Sequence, residues 1–358
     1  MNLLRSDKVS LLFITRKYPP MVGGMEKVSF ALAQEFAKNT NLHLVSWGYT
    51  QKLLPIFLTI ALIKSLWIIP NKRIKNVHLG DALLSPLGLL LKKIYGVRVS
   101  VTVHGLDITY KLPIYQLVIP FCLRRLDKII CISNTTRNEC LKRGIPSSKS
   151  IVIAWGIHPE SFLLPANKSA LEKITRRKLS DKKIIVTVGR LVKRKGVYWF
   201  IENVLPELNK NVIYLVIGDG VERERIQSLI EEKGYKEKVI LLGKVSDLDL
   251  KVVYNTADIF VMPNIPVDND IEGFGIVALE ASSTGLMVIA SDLEGVKDAV
   301  VNEKNGYLVE TLNSTGFIRT INKNIKSPNL SKNKIKNWIS ENYSFPKIAE
   351  SYLKAFNN

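Results

Sequence analysis

Short apolar runs rich in β-branched residues alternate with helix-length segments along almost the whole chain. Runs of this kind, bounded by turn residues, are typical of parallel sheets built from βαβ units. The predicted strands are Val9–Thr15, Leu42–Trp47, Val77–Leu79, Val97–His104, Lys128–Ile132, Ser150–Ala154, Lys183–Val188, Val212–Ile217, Val239–Leu242, Ile259–Met262 and Met287–Ala290.

These strands form two successive series, which predict two doubly wound α/β domains. A chain of 358 residues is long enough for two domains. The break between the series lies near residues 155–169, where Gly156, Pro159 and Pro165 interrupt the pattern. We therefore expect one domain over residues 1–160 and a second over residues 161–342.

One apolar segment, Leu53–Pro70, has 18 residues and a single charge, that of Lys64. Its helical part of about 14 residues would be about 21 Å long, shorter than the roughly 30 Å hydrocarbon core of a bilayer. A full membrane span is therefore not expected. Two interpretations stay open, a core helix and a helix at a membrane interface. The basic residues close to the segment are Lys52, Lys64, Lys72, Arg73 and Lys75.

The composition, 46% hydrophobic and 23% charged residues, excludes a disordered, collagen-like or coiled-coil chain. The three cysteines (Cys122, Cys131 and Cys140) form no CxxC motif, which excludes a disulfide scaffold and favours the reducing cytoplasm. The net charge is +19, with +14 in residues 1–165 and +5 in the remainder. This asymmetry indicates nucleic acid, anionic lipid or phosphate-bearing substrates as partners. A general richness in lysine would instead raise the positive charge of both halves.

The segment EGFGIVALE, Glu272–Glu280, places two carboxylates eight positions apart. Gly273 and Gly275 between them would let backbone N–H groups approach a ligand closely. One acid could then bind a sugar and the other a ribose. The alternative is a glycine turn followed by an ordinary helix with an exposed glutamate.

The segment GRLVKRKG, Gly189–Gly196, follows a predicted strand, and ligands bind at the carboxyl ends of strands in doubly wound sheets. Arg190 offers a planar fork to phosphate oxygens and Lys195 offers a mobile point charge. A solvated cationic loop is the alternative. The pair Gly23 and Gly24, before a predicted helix, is a weaker anion site.

Three other motifs narrow the range of possible functions. GDG at Gly218 lacks the third glycine of a dinucleotide fingerprint, which disfavours an NAD enzyme. The Asp-x-Asp pairs at 247/249 and 268/270 follow no confident strand, so we do not expect a metal there. His104 in HGLD ends a strand with alternating valines and could bind a substrate hydroxyl or phosphate, or simply be a satisfied histidine.

Taken in order, these segments resemble the retaining glycosyltransferases of family 4, which adopt the GT-B fold. The matching features are the glycine pair after the first strand, HGLD, GRLVKRKG, GDG, ADIFVMP and EGFGIVALE, with WGIHPESF similar to the family's hinge. The similarity extends from about residue 9 to NYSFPKIAESYLKAF. It implies two Rossmann-like domains facing across a cleft, with residues 343–358 returning to the N-terminal domain. DLEGV, at residues 292–296, departs from the GG pair that the family often shows, so no donor contact is assigned there.

The resemblance also implies residue roles. Arg190 and Lys195 would hold the donor diphosphate and stabilise its growing charge without a divalent metal, so no cofactor is expected. Glu272 would hold the donor sugar and His104 would contact it. Glu280 would accept hydrogen bonds from the ribose hydroxyls. The implied catalytic residues are His104, Glu272, Arg190 and Lys195. The implied donor-binding residues are Gly23, Gly24, Gly218, Phe274, Gly275, Ile276 and Glu280.

We therefore expect transfer of a hexose, of mannose or glucose type, from a nucleoside diphosphate sugar to a lipid-linked or membrane-proximal glycan, with retention. The enzyme would be cytoplasmic and peripheral, on the anionic inner face of the membrane. The alternatives are a sugar-nucleotide epimerase of the same architecture and a non-catalytic membrane-associated adaptor. Nucleic acid is not expected as a partner, because no basic motif interleaved with aromatic residues is present.

Overall fold

The computed structural model describes residues 8–21, 23–268 and 270–357. These residues form two compact units. Unit 1 extends to Gly156 and resumes at Phe345, and unit 2 is Ile157–Ser344. The boundaries expected from the sequence lie at 160/161 and 342/343.

Unit 1 is built on a parallel sheet. Its strands are β1 (Ser10–Thr15), β2 (Asn41–Ser46), β3 (Asn76–Leu79), β4 (Arg98–Val103), β5 (Lys128–Cys131) and β6 (Ser150–Val152). Their order in the sheet is β2-β1-β3-β4-β5-β6. The inner strands β1, β3 and β4 are almost fully buried, as expected for parallel strands covered by helices on both faces.

Local sequence signals set the helix ends of unit 1. Its first helices are α1 (Gly24–Asn39), α2 (Leu54–Asn71), α3 (Ser85–Tyr95), α4 (Pro113–Leu123) and α5 (Asn134–Lys142). The hydroxyl of Ser133 accepts a 3.0 Å hydrogen bond from the N–H of Thr136 and so caps α5. Gly96 ends α3 in the left-handed conformation, at a φ of 65°.

Helix α2 is longer than the sequence predicted. It has 18 residues, about 27 Å, because Pro55 lies in its first turn and Pro70 in its last, where a proline disturbs few backbone bonds. One face packs on the sheet through Phe57, Ala61, Ser65 and Ile69. Of the described helices, α2 is the one that is long and apolar enough to cross a membrane, judged by length and composition.

Unit 2 has a second parallel sheet. Its strands are β7 (Lys183–Val188), β8 (Val212–Ile217), β9 (Val239–Gly243), β10 (Ile259–Met262), β11 (Met287–Ser291) and β12 (Gly306–Val309). Their order is β12-β11-β10-β7-β8-β9. The predicted doubly wound architecture is thus confirmed in both units. Strand β12 was not predicted, because it is a short, half-exposed edge strand without a β-branched run.

Eight further helices surround the second sheet. They are α6 (Lys168–Thr175), α7 (Val197–Asn203), α8 (Arg223–Glu232), α9 (Asp247–Thr256), α10 (Ile276–Ser283), α11 (Val296–Ala299), α12 (Ser314–Lys326) and α13 (Lys332–Tyr343). Their apolar faces enclose a core that includes Phe200, Tyr214 and Phe317.

The last helix, α14 (Phe345–Asn357), belongs to unit 1 and packs on α1. Phe36 of α1 and Phe356 of α14 lie with the ring of His78 in one aromatic cluster. The His78 ring is fully buried, with Ser100 Oγ at 2.9 Å and Thr102 Oγ1 at 3.1 Å from its two nitrogens. Burial, followed by the charge of His104, lowers the pKa of His78 from 6.5 to about 3.

Candidate active site

In unit 2, the order of the strands reverses between β7 and β10. Strand β7 is followed in space by β8 on one side and by β10 on the other. A reversal of this kind opens a crevice at the carboxyl edge of a parallel sheet, where ligands bind. The loops that leave this edge, residues 189–196 and 263–275, contain five of the predicted site residues, which are Arg190, Lys195, Glu272, Phe274 and Gly275.

Lys195 and Glu272 join these two loops. Lys195 Nζ lies 2.5 Å from Glu272 Oε2. The lysine is 9% exposed and the glutamate 8%, so each buried charge needs a partner. The pair places a hydrogen-bond donor and an acceptor side by side at the switch point.

Two further residues complete the contacts of the Glu272 carboxylate. Asn264 Nδ2 donates to its Oε2 at 3.2 Å, and Arg194 Nε lies 3.6 Å from the same oxygen. Arg194 also donates through Nη1 to Asp270 Oδ2 at 3.3 Å. The Oδ1 of Asn264 and the Nε of Arg194 are buried and without a hydrogen-bond partner among the described residues.

The cations around Glu272 control its ionisation. Burial alone would raise the pKa of this carboxyl, but the charges of Lys195 and Arg194 outweigh it, with smaller contributions from hydrogen bonds by Lys195 and Asn264. The net result is a lowered pKa, so Glu272 is a carboxylate at neutral pH. It can accept hydrogen bonds from ligand hydroxyls but cannot serve as a proton donor.

Arg190 lies at the same carboxyl edge and is exposed. Among the described residues, its guanidinium forms neither a hydrogen bond nor an ion pair. Its five donors therefore remain available to an anion. The structure brings Lys195 and Glu272 together and leaves Arg190 at the rim of this crevice.

The close packing of two neighbouring turns requires a glycine at position 218. Its φ is 129°, and a Cβ on this residue would overlap the carbonyl oxygen of Gly189. The backbone turns after β7 and β8 can approach each other because neither has a side chain at this point. Gly218 thus holds the loop that carries Arg190 and Lys195 against the neighbouring strand.

The EGFG segment is positioned by its apolar residues. Phe274 is 1% exposed, so this residue can offer a ligand only its backbone. Gly275, at a φ of 80°, is the N-cap of α10. A Cβ on it would lie 3.0 Å from the Cε of Met262. Ile276 is the first residue of α10 and is half-buried. The backbone at 274–276 therefore forms the N-terminus of α10, a position whose free N–H groups suit an anion.

Glu280 lies on α10 and receives a hydrogen bond from α9. The hydroxyl of Tyr254 donates to its Oε2 at 3.1 Å. Burial, followed by the Glu280 charge, raises the pKa of Tyr254 well above 10, so the tyrosine stays a donor. This bond fixes the position of the Glu280 carboxylate relative to α9.

In unit 1, the strand order reverses between β1 and β3. Arg16 follows β1 and Asp81 follows β3, and Arg16 Nε lies 2.9 Å from Asp81 Oδ2. His104 follows β4 at the same edge. The carbonyl oxygen of Gly80 lies 2.8 Å from its Nε2, and the indole of Trp155 donates to its Nδ1 at 3.2 Å. Both ring nitrogens thus have a hydrogen-bond partner, with Nε2 facing a carbonyl oxygen and Nδ1 accepting from the indole N–H.

The glycine pair before α1 lies beside a carboxylate. Gly23 has an extended φ of 173°, and a Cβ on it would overlap the Oε2 of Glu26. Glu26 is buried, and Lys17 Nζ lies 3.3 Å from its Oε1. A Cβ on Gly24 would lie 3.6 Å from the ring of Trp155. The space at this helix N-terminus is therefore shared with a paired carboxylate.

Two family models match the chain. The model described as "Glycosyltransferase Family 4" matches residues 22–161, and the one described as "Glycosyl transferases group 1" matches residues 171–341. The second match includes both strands of the switch point of unit 2, β7 and β10. The chain is a family 4-like glycosyltransferase. It is a hexosyltransferase with the GT-B fold.

Individual relatives of this glycosyltransferase are distant but matched over long stretches. An uncharacterised glycosyltransferase of Methanocaldococcus jannaschii is 27% identical over 97% of this chain and 98% of its own length. A GDP-mannose-dependent alpha-(1-6)-phosphatidylinositol monomannoside mannosyltransferase of Mycolicibacterium smegmatis is 26% identical over 84% of this chain and 85% of its own.

Among solved structures, the glycosyltransferase is similar to HepE of Anabaena, in complex with UDP. The TM-score is 0.78 at 16% identity, with 98% of this chain and 100% of the other covered. At this identity the likeness concerns the fold.

The Asp-x-Asp pairs of this glycosyltransferase have local roles. Asp249 N–H donates to Ser246 Oγ at 3.1 Å, and the Asp249 carboxylate accepts from that hydroxyl at 2.7 Å, at the N-terminus of α9. Asp270 pairs with Arg194. Among the described residues, no group of three His, Cys, Asp or Glu side chains is placed to hold a metal ion.

Sequence reasoning missed four residues that contact the candidate site. Asn264 and Tyr254 carry no motif, and their roles depend on tertiary contacts. Arg194 lies inside GRLVKRKG, so the basic run pointed to the segment but not to this side chain. Glu294 lies in DLEGV and accepts a hydrogen bond from the N–H of Glu272. The missing glycine in that loop was the signal that could have found it.

Proposed function

We propose that this enzyme transfers a hexose from a nucleoside diphosphate sugar to a lipid-linked acceptor, with retention of anomeric configuration. The observation that carries the proposal is the Lys195–Glu272 pair, a buried cation and a carboxylate acceptor 2.5 Å apart at the switch point of unit 2. A sugar diphosphate presents hydroxyl donors beside an anionic leaving group, and this pair offers the complement of both.

Each site residue has a role in the proposed reaction. Arg190 and Lys195 bind the diphosphate. Glu272 accepts hydrogen bonds from the sugar hydroxyls, and Glu280 accepts hydrogen bonds from the ribose hydroxyls. The C1–O bond to the diphosphate breaks, and its electron pair goes to the phosphate oxygen. The acceptor hydroxyl then adds to C1 on the same face and gives its proton to that oxygen. His104 contacts the sugar.

We propose that the cations replace a divalent metal in this reaction. Positive charge placed before the reaction stabilises the leaving diphosphate without reorganisation. Arg190 and Lys195 supply it, since Arg190 is exposed at the rim and Lys195 reaches the crevice. Transfer should therefore persist in EDTA, and activity that needs Mn²⁺ or Mg²⁺ would contradict this.

The acceptor is proposed to be lipid-borne because of the surface of unit 1. Helix α2 exposes an apolar stripe at positions 56, 60, 63 and 67, in which Ile63 is 62% and Trp67 is 61% exposed. Helix α4 exposes a second stripe at 114, 117, 118 and 121, in which Leu117 is 73% exposed. Both spacings describe one face of a helix. Exposed apolar stripes on two helices favour a membrane interface over an ordinary solvated surface.

The sequence segment that contains both stripes carries mostly positive charges. Residues 48–126 contain eleven lysines and arginines and two acids, Asp81 and Asp107. Asp81 pairs with Arg16, and Asp107 accepts from the backbone N–H groups of Ala82 and His104. The surface therefore suits anionic lipid, as on the cytoplasmic face of a membrane, and we propose peripheral attachment there.

The GDP-mannose and phosphatidylinositol named for the Mycolicibacterium relative also support this proposal. Nucleotide binding tests it first. A thermal-shift panel of GDP-mannose, UDP-glucose, UDP-galactose and UDP-N-acetylglucosamine should give one clear stabiliser, since a ligand at 100 times its Kd adds about 2.7 kcal/mol. Product formation from the donor alone would indicate an epimerase, and no binding of any donor would indicate an adaptor.

A further inference from the structure

The turn after β11 holds the backbone of Glu272 from two sides. The N–H of Gly295 donates to the carbonyl oxygen of Glu272 at 3.0 Å. The side-chain Oε2 of Glu294 accepts from the N–H of Glu272. Both hydrogen-bonding groups of the Glu272 backbone are therefore engaged by two adjacent residues of one turn.

The close approach explains Gly295. A Cβ on this residue would lie 2.7 Å from the carbonyl oxygen of Glu272 and would overlap that of Gly273. The close approach therefore requires a glycine at 295, but it gives no reason for a glutamate at 294. Glu294 has a φ of 46°, in the left-handed region where glycine is favoured and a side chain is strained.

The carboxylate of Glu294 has few partners. Among the described residues it takes part in no ion pair, and the bond from Glu272 N–H is its one hydrogen bond. Burial raises the pKa of Glu294, and the nearby charge of Glu272 adds to this against the lowering effect of the hydrogen bond. An unfavourable φ and a partly desolvated acid together are a cost that a glycine would avoid.

We propose that Glu294 is a positioning residue that fixes the backbone of Glu272, so that the Glu272 carboxylate meets the donor sugar in one orientation. The inference rests on the proposed function for the role of Glu272. A misplacement of about 1 Å in a catalytic group can reduce turnover by about a hundredfold, so an anchor on the backbone of Glu272 has a kinetic consequence.

A glycine at this position separates the two effects of Glu294. Glu294→Gly relieves the left-handed strain and removes the carboxylate, so the variant should melt at the same or a higher temperature while kcat falls. Glu294→Gln keeps a carbonyl acceptor and should restore most of kcat. The nucleotide dissociation constant should change little in both.

The chain offers a matched control in Glu303. It lies in the same unit, is exposed and has a φ of 62°. Glu303→Gly relieves the same kind of strain away from the site, so it should raise the melting temperature without changing kcat.

The experiment combines kinetics with hydrogen exchange. With the donor that the thermal-shift panel selects, we expect kcat of Glu294→Gly to fall about tenfold to a hundredfold. Amide exchange of the segment around Glu272 should become faster in Glu294→Gly and stay unchanged in Glu303→Gly and Glu294→Gln. Exchange can be measured whether or not transfer is detected, so failure of the proposed function, seen as an inactive wild type, is distinguished from failure of this inference. Unchanged exchange and wild-type kcat in Glu294→Gly, or no rescue by Glu294→Gln, would overturn it.

Discussion

Lys195 Nζ and Glu272 Oε2 lie 2.5 Å apart, and this ion pair ties the loop after β7 to the loop after β10. It crosses the switch point of the second sheet, where a ligand would lie. The pair keeps Glu272 ionised and holds Lys195 Nζ at the Glu272 carboxylate. The proposed recognition of the donor and the arrangement of the two loops therefore depend on the same two side chains.

Glu272→Gln should reduce turnover strongly and leave nucleotide affinity almost intact. The change removes a charged acceptor for sugar hydroxyls and the charge opposite Lys195, and loss of one preorganised contact of this kind costs about a hundredfold or more in kcat. Steady-state kinetics and nucleotide titration would measure the two effects. Near-native turnover in a folded Glu272→Gln variant would remove Glu272 from the site.

Glu280→Gln is the matched counterpart and should show the opposite pattern. It weakens a hydrogen bond to a charged group, which contributes about 1.5–3 kcal/mol, so the nucleotide Kd should rise by tenfold or more. The kcat at saturating donor should change far less. A larger effect on kcat than on Kd would mean that Glu280 does not hold the ribose.

The segments that contain Glu272 and Lys195 could be recognised in the sequence because each is a short, continuous motif. EGFG and GRLVKRKG each follow a buried strand, and a strand such as Ile259–Met262 is continuous enough to be recognised without the fold. Strand β12 was missed because Gly306 and Tyr307 begin a short edge strand. The strands and the loops that follow them were thus the predictable part of the molecule.

The partners within the site were less predictable. Glu294 contacts Glu272 across 22 positions, and Tyr254 contacts Glu280 across 26. Such pairs arise when two loops leave neighbouring strands at the same edge, which periodicity does not reveal. The exposure of α2 also needed the structure, because an apolar sequence fits a core helix and an interfacial helix equally well.

Gly218→Ala should destabilise unit 2 far more than Gly234→Ala. Both glycines have positive φ, 129° and 68°, so each alanine bears about 1–2 kcal/mol of backbone strain. The Cβ at 218 would also overlap the carbonyl of Gly189, whereas the Cβ at 234 meets nothing within 4 Å. Chemical unfolding would measure the difference. Equal losses in the two variants would contradict the close packing of the turns after β7 and β8.

Acid should destabilise unit 1 through His78. Its pKa is about 3 in the folded protein and near 6.5 when exposed, so the unfolded chain binds the proton more tightly. The stability that His78 contributes is full above pH 6.5 and is lost between pH 6.5 and about 3, by about 1.4 kcal/mol per pH unit. Unfolding at several pH values would show this slope.

His78→Gln should flatten that slope, because the glutamine does not titrate. A slope that survives in His78→Gln would mean that another group is responsible.

Binding to anionic vesicles should decrease with salt without vanishing. Lysines near an anionic surface contribute about 1 kcal/mol each and are screened by salt, whereas a buried apolar stripe is not. Changing Lys72, Arg73 and Lys75 to Ser should weaken the salt-sensitive part, as measured by vesicle sedimentation.

Trp67→Ser should weaken the salt-insensitive part of vesicle binding. Val221→Ser is its control, because Val221 is an exposed apolar residue of unit 2, 87% exposed and far from α2 in the sequence. Equal binding to neutral and anionic vesicles at low salt would refute electrostatic docking, and no binding to either kind of vesicle would favour a soluble acceptor.

The most direct measurement is the fate of a labelled hexose. The purified enzyme is incubated with each radiolabelled nucleotide sugar and with vesicles that contain phosphatidylinositol mannosides or polyprenyl diphosphate sugars, and the lipid phase is counted and its product analysed by NMR. We expect one donor whose hexose enters the lipid phase in the donor's anomeric configuration. This transfer should persist in EDTA and should be lost with Glu272→Gln. Transfer with inversion, or label that reaches no lipid from any donor, would contradict this expectation.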